Sequence, residues 1–106
     1  MNDDGRIIYN VTIKVASSIA PQWLSWMLHE HIPEIMSTSC FLGHRVLKIL
    51  DIDDAEGPTY SIQYIAVSMA DFTRYINNFA DELRKKSYDK WGDNFIAFRT
   101  LLEVVQ

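Results

Sequence analysis

Arg6-Ile7-Ile8-Tyr9-Asn10-Val11-Thr12-Ile13-Lys14-Val15 alternates: Ile7, Tyr9, Val11, Ile13 and Val15 fall on one side, and Ile8, Asn10, Thr12 and Lys14 on the other. Successive side chains of an extended chain point to opposite faces, so this stretch is a strand with one wholly apolar face. Such a face must be covered. The rest of the chain is read by asking what covers it.

Downstream, Ser17-Ser18-Ile19-Ala20-Pro21 opens a helix, since Pro suits a first turn where no N–H is needed. Trp23, Leu24, Trp26, Met27 and Leu28 give that helix its apolar side. Pro33 lacks an N–H and crowds the preceding turn, so a break or kink is expected near His31-Ile32, with one more turn over Glu34 to Met36. Phe41 to Asp53 reads as a strand, and Asp53-Asp54-Ala55-Glu56-Gly57-Pro58 as a hairpin loop. Thr59 to Val67 alternates again, Tyr60, Ile62, Tyr64 and Ala66 lying opposite Ser61, Gln63 and Ile65. Ser68, with Asp71 three residues on, caps a second helix whose apolar stripe is Met69, Phe72, Ile76, Phe79 and Leu83, and Gly92 ends it. Asn94 to Val105 is a last strand, with Ile96, Phe98, Thr100, Leu102 and Val104 on one face and Phe95, Ala97, Arg99, Leu101 and Glu103 on the other.

The order β-α-β-β-α-β predicts an α+β, ferredoxin-like single domain over 1–106: a four-stranded antiparallel sheet with two helices on one face. Residues 1–5 are expected to be disordered or frayed. The second sheet face has no cover from this chain, yet Ile8, Ile65, Phe95, Ala97 and Leu101 would put apolar groups on it. A second copy packed sheet to sheet, making a homodimeric α/β barrel, is the economical cover.

Composition narrows the function classes. Of 106 residues, 48% are hydrophobic, 12% aromatic and 23% charged, which excludes a disordered chain. The net charge of −4 argues against a nucleic-acid partner, which would need a basic footprint. The basic cluster Arg84, Lys85, Lys86 and Lys90 falls at a helix end, where cations complement the dipole. Cys40 is the single cysteine, so neither a disulfide framework nor a thiolate metal site is expected. No apolar run approaches a membrane span and Met1 to Gly5 lacks a signal-peptide pattern, so the expected location is cytoplasmic, with the Asn10-Val11-Thr12 sequon unglycosylated.

Ile8-Tyr9-Asn10-Val11-Thr12, Trp23-Leu24-Ser25-Trp26-Met27, His31-Ile32-Pro33-Glu34, Tyr60-Ser61-Ile62-Gln63-Tyr64 and Ala97-Phe98-Arg99-Thr100-Leu101 together resemble a small bacterial family known only as a domain of unknown function. The likeness runs from Arg6 to Val105. That family is in turn similar to the dimeric α/β-barrel superfamily, which includes cofactor-independent monooxygenases, haem-degrading enzymes, lyases and stress-response dimers. The resemblance implies a homodimer with a pocket between each sheet and its helices. It implies no single reaction, because one fold hosts many.

His29-Glu30-His31 does not read as a metal site, because neighbours two apart on a helix point to opposite sides and Pro33 occupies the slot of a second zincin His. No metal and no cofactor are expected. At about 100° per residue, Trp23, Met27 and His31 share a stripe, flanked by Trp26 and Glu30. This sets His31 and Glu30 at the sheet-facing side of an apolar helix, either as a hydrogen-bonded core histidine with its neighbour or as a general acid–base in a pocket. Tyr9, Tyr60 and Tyr64 sit on the face the helices should cover, and their hydroxyls need partners when buried. The candidate pocket has His31 and Tyr64 as catalytic residues and Tyr9, Trp23, Trp26, Glu30, Tyr60 and Trp91 around the ligand, a small apolar or aromatic molecule. A plain aromatic core is the competing interpretation of the same rings. Asn10, Gln63 and Arg99 are expected on the opposite face. There they form either a polar network that fixes how two copies dock, with Glu103 or its copy facing Arg99, or an anion site for a carboxylate or phosphate. A strand bulge would swap Arg99 to the helix side. Two functions follow: a pocket protein with cofactor-free monooxygenase-, isomerase- or lyase-like chemistry, or a non-catalytic structural or sensor dimer without ligand.

Overall fold

The alternation of the first strand decides the architecture here too. A computed structural model describes residues 5–106. The elements are β1 (Ile7–Val15), α1 (Ala20–Trp26), a π-helical segment Met27–His31, α2 (Ile32–Met36), β2 (Gly43–Lys48), β3 (Thr59–Ala66), α3 (Met69–Tyr75), a second π-helical segment Ile76–Ala80, α4 (Asp81–Trp91) and β4 (Phe95–Glu103). One antiparallel sheet in the order β2-β3-β1-β4 carries two helical rods on one face, the ferredoxin-like arrangement. Central β1 buries every second residue, and Val15, Ile62 and Trp23 are wholly inaccessible in the layer between sheet and helices. Each such fully buried apolar side chain contributes about 1.5–3 kcal/mol.

The expectation of a frayed N-terminus falls mostly on residues 1–4, which lie outside the described residues. Gly5 donates its N–H to the Val104 carbonyl at 2.8 Å, beside the end of β4.

The helical rods depart from ideal helices for identifiable reasons. Pro33 does not break the first rod. The chain instead widens into a π turn just before it, with the Ile32 N–H reaching the Met27 carbonyl, which accommodates a ring that would crowd an α-helical turn. In the second rod, the Asn78 side-chain amide donates to the Arg74 carbonyl at 2.9 Å. A side chain that takes a carbonyl four residues back competes with the helix ladder, and the π segment sits there. Ser68 Oγ caps α3 by accepting from the Asp71 N–H at 3.3 Å. Gly92 ends α4 at φ +58°.

β2 is shorter than the apolar run Phe41 to Asp53 suggests. Its register pairs Lys48 with Tyr60, and β3 begins at Thr59, so the chain beyond Ile49 has no strand left to pair with. Residues 49–58 form a loop that returns to the end of β1: Val15 N–H donates to the Pro58 carbonyl and Ser17 N–H to the Glu56 carbonyl, each at 3.0 Å. Gly57 makes this approach possible. At φ +140°, a Cβ there would lie 1.8 Å from the Val15 carbonyl oxygen.

The faces of β4 are the reverse of the sequence expectation. Val15 pairs with Phe95, Ile13 with Ala97, Val11 with Arg99 and Tyr9 with Leu101. Direct partners share a face, so Phe95, Ala97, Arg99 and Leu101 lie on the helix side with no bulge needed. The open face holds Ile96, Phe98 and Leu102 with Ile8 and Ile65. It remains strongly apolar: Phe98 is 67% exposed and Ile96 59%. Among the described residues no helix is long and apolar enough to cross a membrane.

Candidate functional site

The π turn ahead of Pro33 delivers His31 to the sheet side of its helix, where the residue is buried. Its ring stacks on Trp26 at 4.5 Å with an interplanar angle of 19°. Its Nδ1 is buried and has no hydrogen-bond partner. Burial lowers the His31 pKa to about 4, with Glu34 pulling it back up and Lys86 pushing it further down. His31 is therefore a neutral imidazole at neutral pH.

His31 borders an internal cavity of about 50 Å³ between the helices and the sheet. Apolar side chains including Val11, Met27, Ile35 and Phe95 form most of its wall, and Tyr9 and Tyr64 line it from the central strands. Tyr64 is buried at 1% exposure, and desolvation raises its pKa well above that of a free phenol, with Tyr75 and Tyr9 adding to the effect. Tyr75 is shifted in the same direction, chiefly by burial and then by Tyr9, against the opposing pull of Arg84 and Arg99. Both phenols stay protonated. The Tyr9 ring lies 6.0 Å from the Tyr64 ring and 5.9 Å from the Tyr75 ring.

The Tyr9 hydroxyl oxygen accepts two charged donors: Arg84 Nη2 at 2.9 Å and Arg99 Nε at 3.1 Å. Arg99 thus belongs to the helix-side cavity and not to the network on the open face. That network has other members. Ser61 Oγ donates to Asn10 Oδ1 at 2.6 Å, Asn10 Nδ2 donates to Thr12 Oγ1 at 3.1 Å, and Arg45 donates to Gln63 Oε1 at 3.1 Å.

The structure separates the other sequence-predicted residues. Trp23 is fully buried and stacks on Tyr60 at 5.6 Å, so this pair is core and neither ring lines the cavity. Glu30 is exposed. It faces an outer groove of about 650 Å³ with Trp26, Trp91 and Lys90. Trp91 meets Trp26 edge-on at 5.9 Å, and the Lys90 ammonium lies 5.3 Å from the Trp91 ring centroid. Trp26 is thus the partition between groove and cavity, touching the groove while stacking on His31.

Arg84, Tyr75, Ser87 and Tyr88 line the cavity and were absent from the sequence-derived site. Arg84 reads as part of a solvated basic cluster in sequence. Its neighbours bear that out for themselves: Lys85 pairs with Asp89 at 2.6 Å and Lys86 with Glu34. The signal available for Arg84 was its spacing, four residues after buried Ala80 and one after buried Leu83.

Solved structures share this fold at low identity. A dimeric ferredoxin-like protein from an uncultured marine organism matches with a TM-score of 0.74 at 12% identity, covering 97% of this chain and 98% of that one. An EthD-like protein from Ralstonia eutropha JMP134 matches with a TM-score of 0.70 at 15% identity, covering 97% and 95%. A candidate monooxygenase from Shewanella loihica PV-4 matches with a TM-score of 0.54 at 15% identity, covering 99% of both. At such identities the likeness is one of fold. No curated protein matches the sequence. The sequence pattern of the domain of unknown function DUF4286 matches residues 6–105, and the chain belongs to that family.

Proposed function

We propose that this chain works as a homodimer, packed through its open sheet face, with a small-molecule site in the helix–sheet cavity of each subunit. The ligand has an apolar or aromatic body, and His31 exchanges a proton with it while Tyr64 and Tyr9 orient it. One observation carries the reading: a buried, neutral imidazole whose Nδ1 has no partner borders a cavity. Buried polar atoms are ordinarily paired, so an orphaned ring nitrogen on a residue that borders a cavity supports a partner that comes and goes. A neutral imidazole can take a proton from carbon or oxygen and return it elsewhere, the step isomerases and lyases need.

About 50 Å³ admits a water or two. A larger ligand enters by displacing Tyr88, an exposed side chain that lines the cavity. The dimer is supported by the exposed Phe98 and Ile96 and by the dimeric neighbour of the same fold.

The test is a thermal-shift screen of small apolar and aromatic compounds, because a ligand that binds only the native state raises its apparent stability. Binding that survives in His31→Asn, with loss of solvent deuterium exchange into the ligand, supports the acid–base role. If no compound stabilises the protein, and His31→Asn alters only folding, the chain is a non-catalytic dimer.

A further inference from the structure

We infer that Arg84 and Arg99 form an oxyanion clamp, and that the cavity's ligand is a small carboxylate on an apolar body. The inference rests on reading the cavity as a ligand site and specifies what that site takes. Both guanidiniums converge on one oxygen, the Tyr9 hydroxyl, at 2.9 and 3.1 Å. That oxygen is a single hydroxyl, and among the described residues no carboxylate pairs with either arginine. Three of the helix carboxylates are engaged elsewhere: Asp71 with Arg74, Asp89 with Lys85, and Glu34 with Lys86. Two like charges held together on one hydroxyl, with no carboxylate between them, leave the site short of negative charge. Arg84 Nε is also buried without any partner.

Guanidinium forks match the two oxygens of a planar carboxylate. Arg84 meets Tyr9 through Nη2 only and Arg99 through Nε only, so each fork keeps donors for an incoming anion. The same forks would also hold a phosphate. The remaining wall favours the carboxylate: Val11, Ile13, Met27, Ile35 and Phe95 offer an apolar surface that inorganic phosphate would leave unused. His31, being neutral, adds no third positive charge for a dianion. Placing the anion at the arginines directs the apolar body of the ligand along this wall, in the cavity that His31 borders.

The experiment titrates the unaltered protein at low salt with benzoate, phenylacetate and hexanoate, with the matching amides, and with inorganic phosphate, using calorimetry and thermal shift. At least one carboxylate is expected to bind. Its amide should bind at least tenfold more weakly, its affinity should fall as salt is added, and phosphate should bind more weakly than the acid. Arg99→Gln is expected to weaken the acid at least tenfold and the amide less than twofold. Equal binding of acid and amide overturns the clamp while leaving the cavity a ligand site. No binding by any acid or amide overturns both readings together. Phosphate binding tighter than every carboxylate overturns the assignment of the ligand class. The acid–amide comparison uses the native chain, so it stands however the variant folds.

Discussion

Val11 and Arg99 are direct partners across the β1–β4 ladder, which turns the Arg99 guanidinium toward the helices. Because side chains alternate with a period of two, that one pairing fixes the face of every residue in β4. It moves a cation from the proposed dimer seam to the cavity and sets it beside Arg84 on the Tyr9 hydroxyl.

Removing the shared acceptor tests that arrangement. Tyr9→Phe leaves two guanidinium donors facing a ring edge, and hydrogen bonds to charged groups are worth about 1.5–3 kcal/mol. A loss of about 2 kcal/mol in urea unfolding is expected. Adding Arg99→Met to Tyr9→Phe should recover part of it, because the orphaned charge is gone. A strictly additive double mutant would show that the Tyr9–Arg99 contact has no energetic coupling.

His31 gives the fold a defined response to acid. Its pKa lies near 4 when folded, against 6.5 as the ordinary value. Between those values the unfolded state binds more protons than the folded one, so stability falls as pH drops from about 6.5 to about 4 and is flat with respect to this group above 6.5. The full loss is on the order of 3 kcal/mol by the conversion of pKa shift to free energy. Urea midpoints of the native chain and His31→Gln, compared at pH 7 and pH 4.5, should converge at the lower pH. Parallel pH curves would show that His31 does not contribute this dependence.

Phe98, exposed on the open face, is expected to sit in the dimer interface. Phe98→Asp would place a charge between the two sheets. Sedimentation at micromolar concentration should show the native chain as a dimer and the variant's dissociation constant raised at least tenfold. Its monomer should keep native circular dichroism, since surface substitutions away from special sites change stability by only about 0.5 kcal/mol. A native chain that sediments as a monomer would sink the dimer proposal outright.

Gly57→Ala should be costly although the residue lies in a loop. The Cβ would meet the Val15 carbonyl oxygen at 1.8 Å, and the backbone there is at φ +140°. Strain of this kind costs about 1–3 kcal/mol before the clash is counted. Unfolding by urea should show a loss of at least about 2 kcal/mol. A neutral result would mean that the loop leaves the end of β1 at little cost.

Sequence periodicity made the elements, their order and the helix-covered side of β1 and β3 legible, because each of those strands has one face clearly more apolar than the other. The same logic failed for β4. Phe95, Ala97 and Leu101 alternate with Ile96, Phe98 and Leu102, so both faces are apolar and the pattern has no phase. The helix stripe placed His31 toward the sheet, yet it also placed Glu30 there, because a regular 100° step takes no account of the π turn before Pro33. Arg84 was hidden among lysines that are indeed solvated.

The sequence by itself determined the ferredoxin-like order of strands and helices, since burial forces period-two and near-period-four patterns that can be read locally. The tertiary structure alone decided where the charges of the site stand. Strand register is set by hydrogen bonds between distant segments, and it turned Arg99 of β4 to the side of Tyr9 on β1, where Arg84 of α4 reaches the same oxygen.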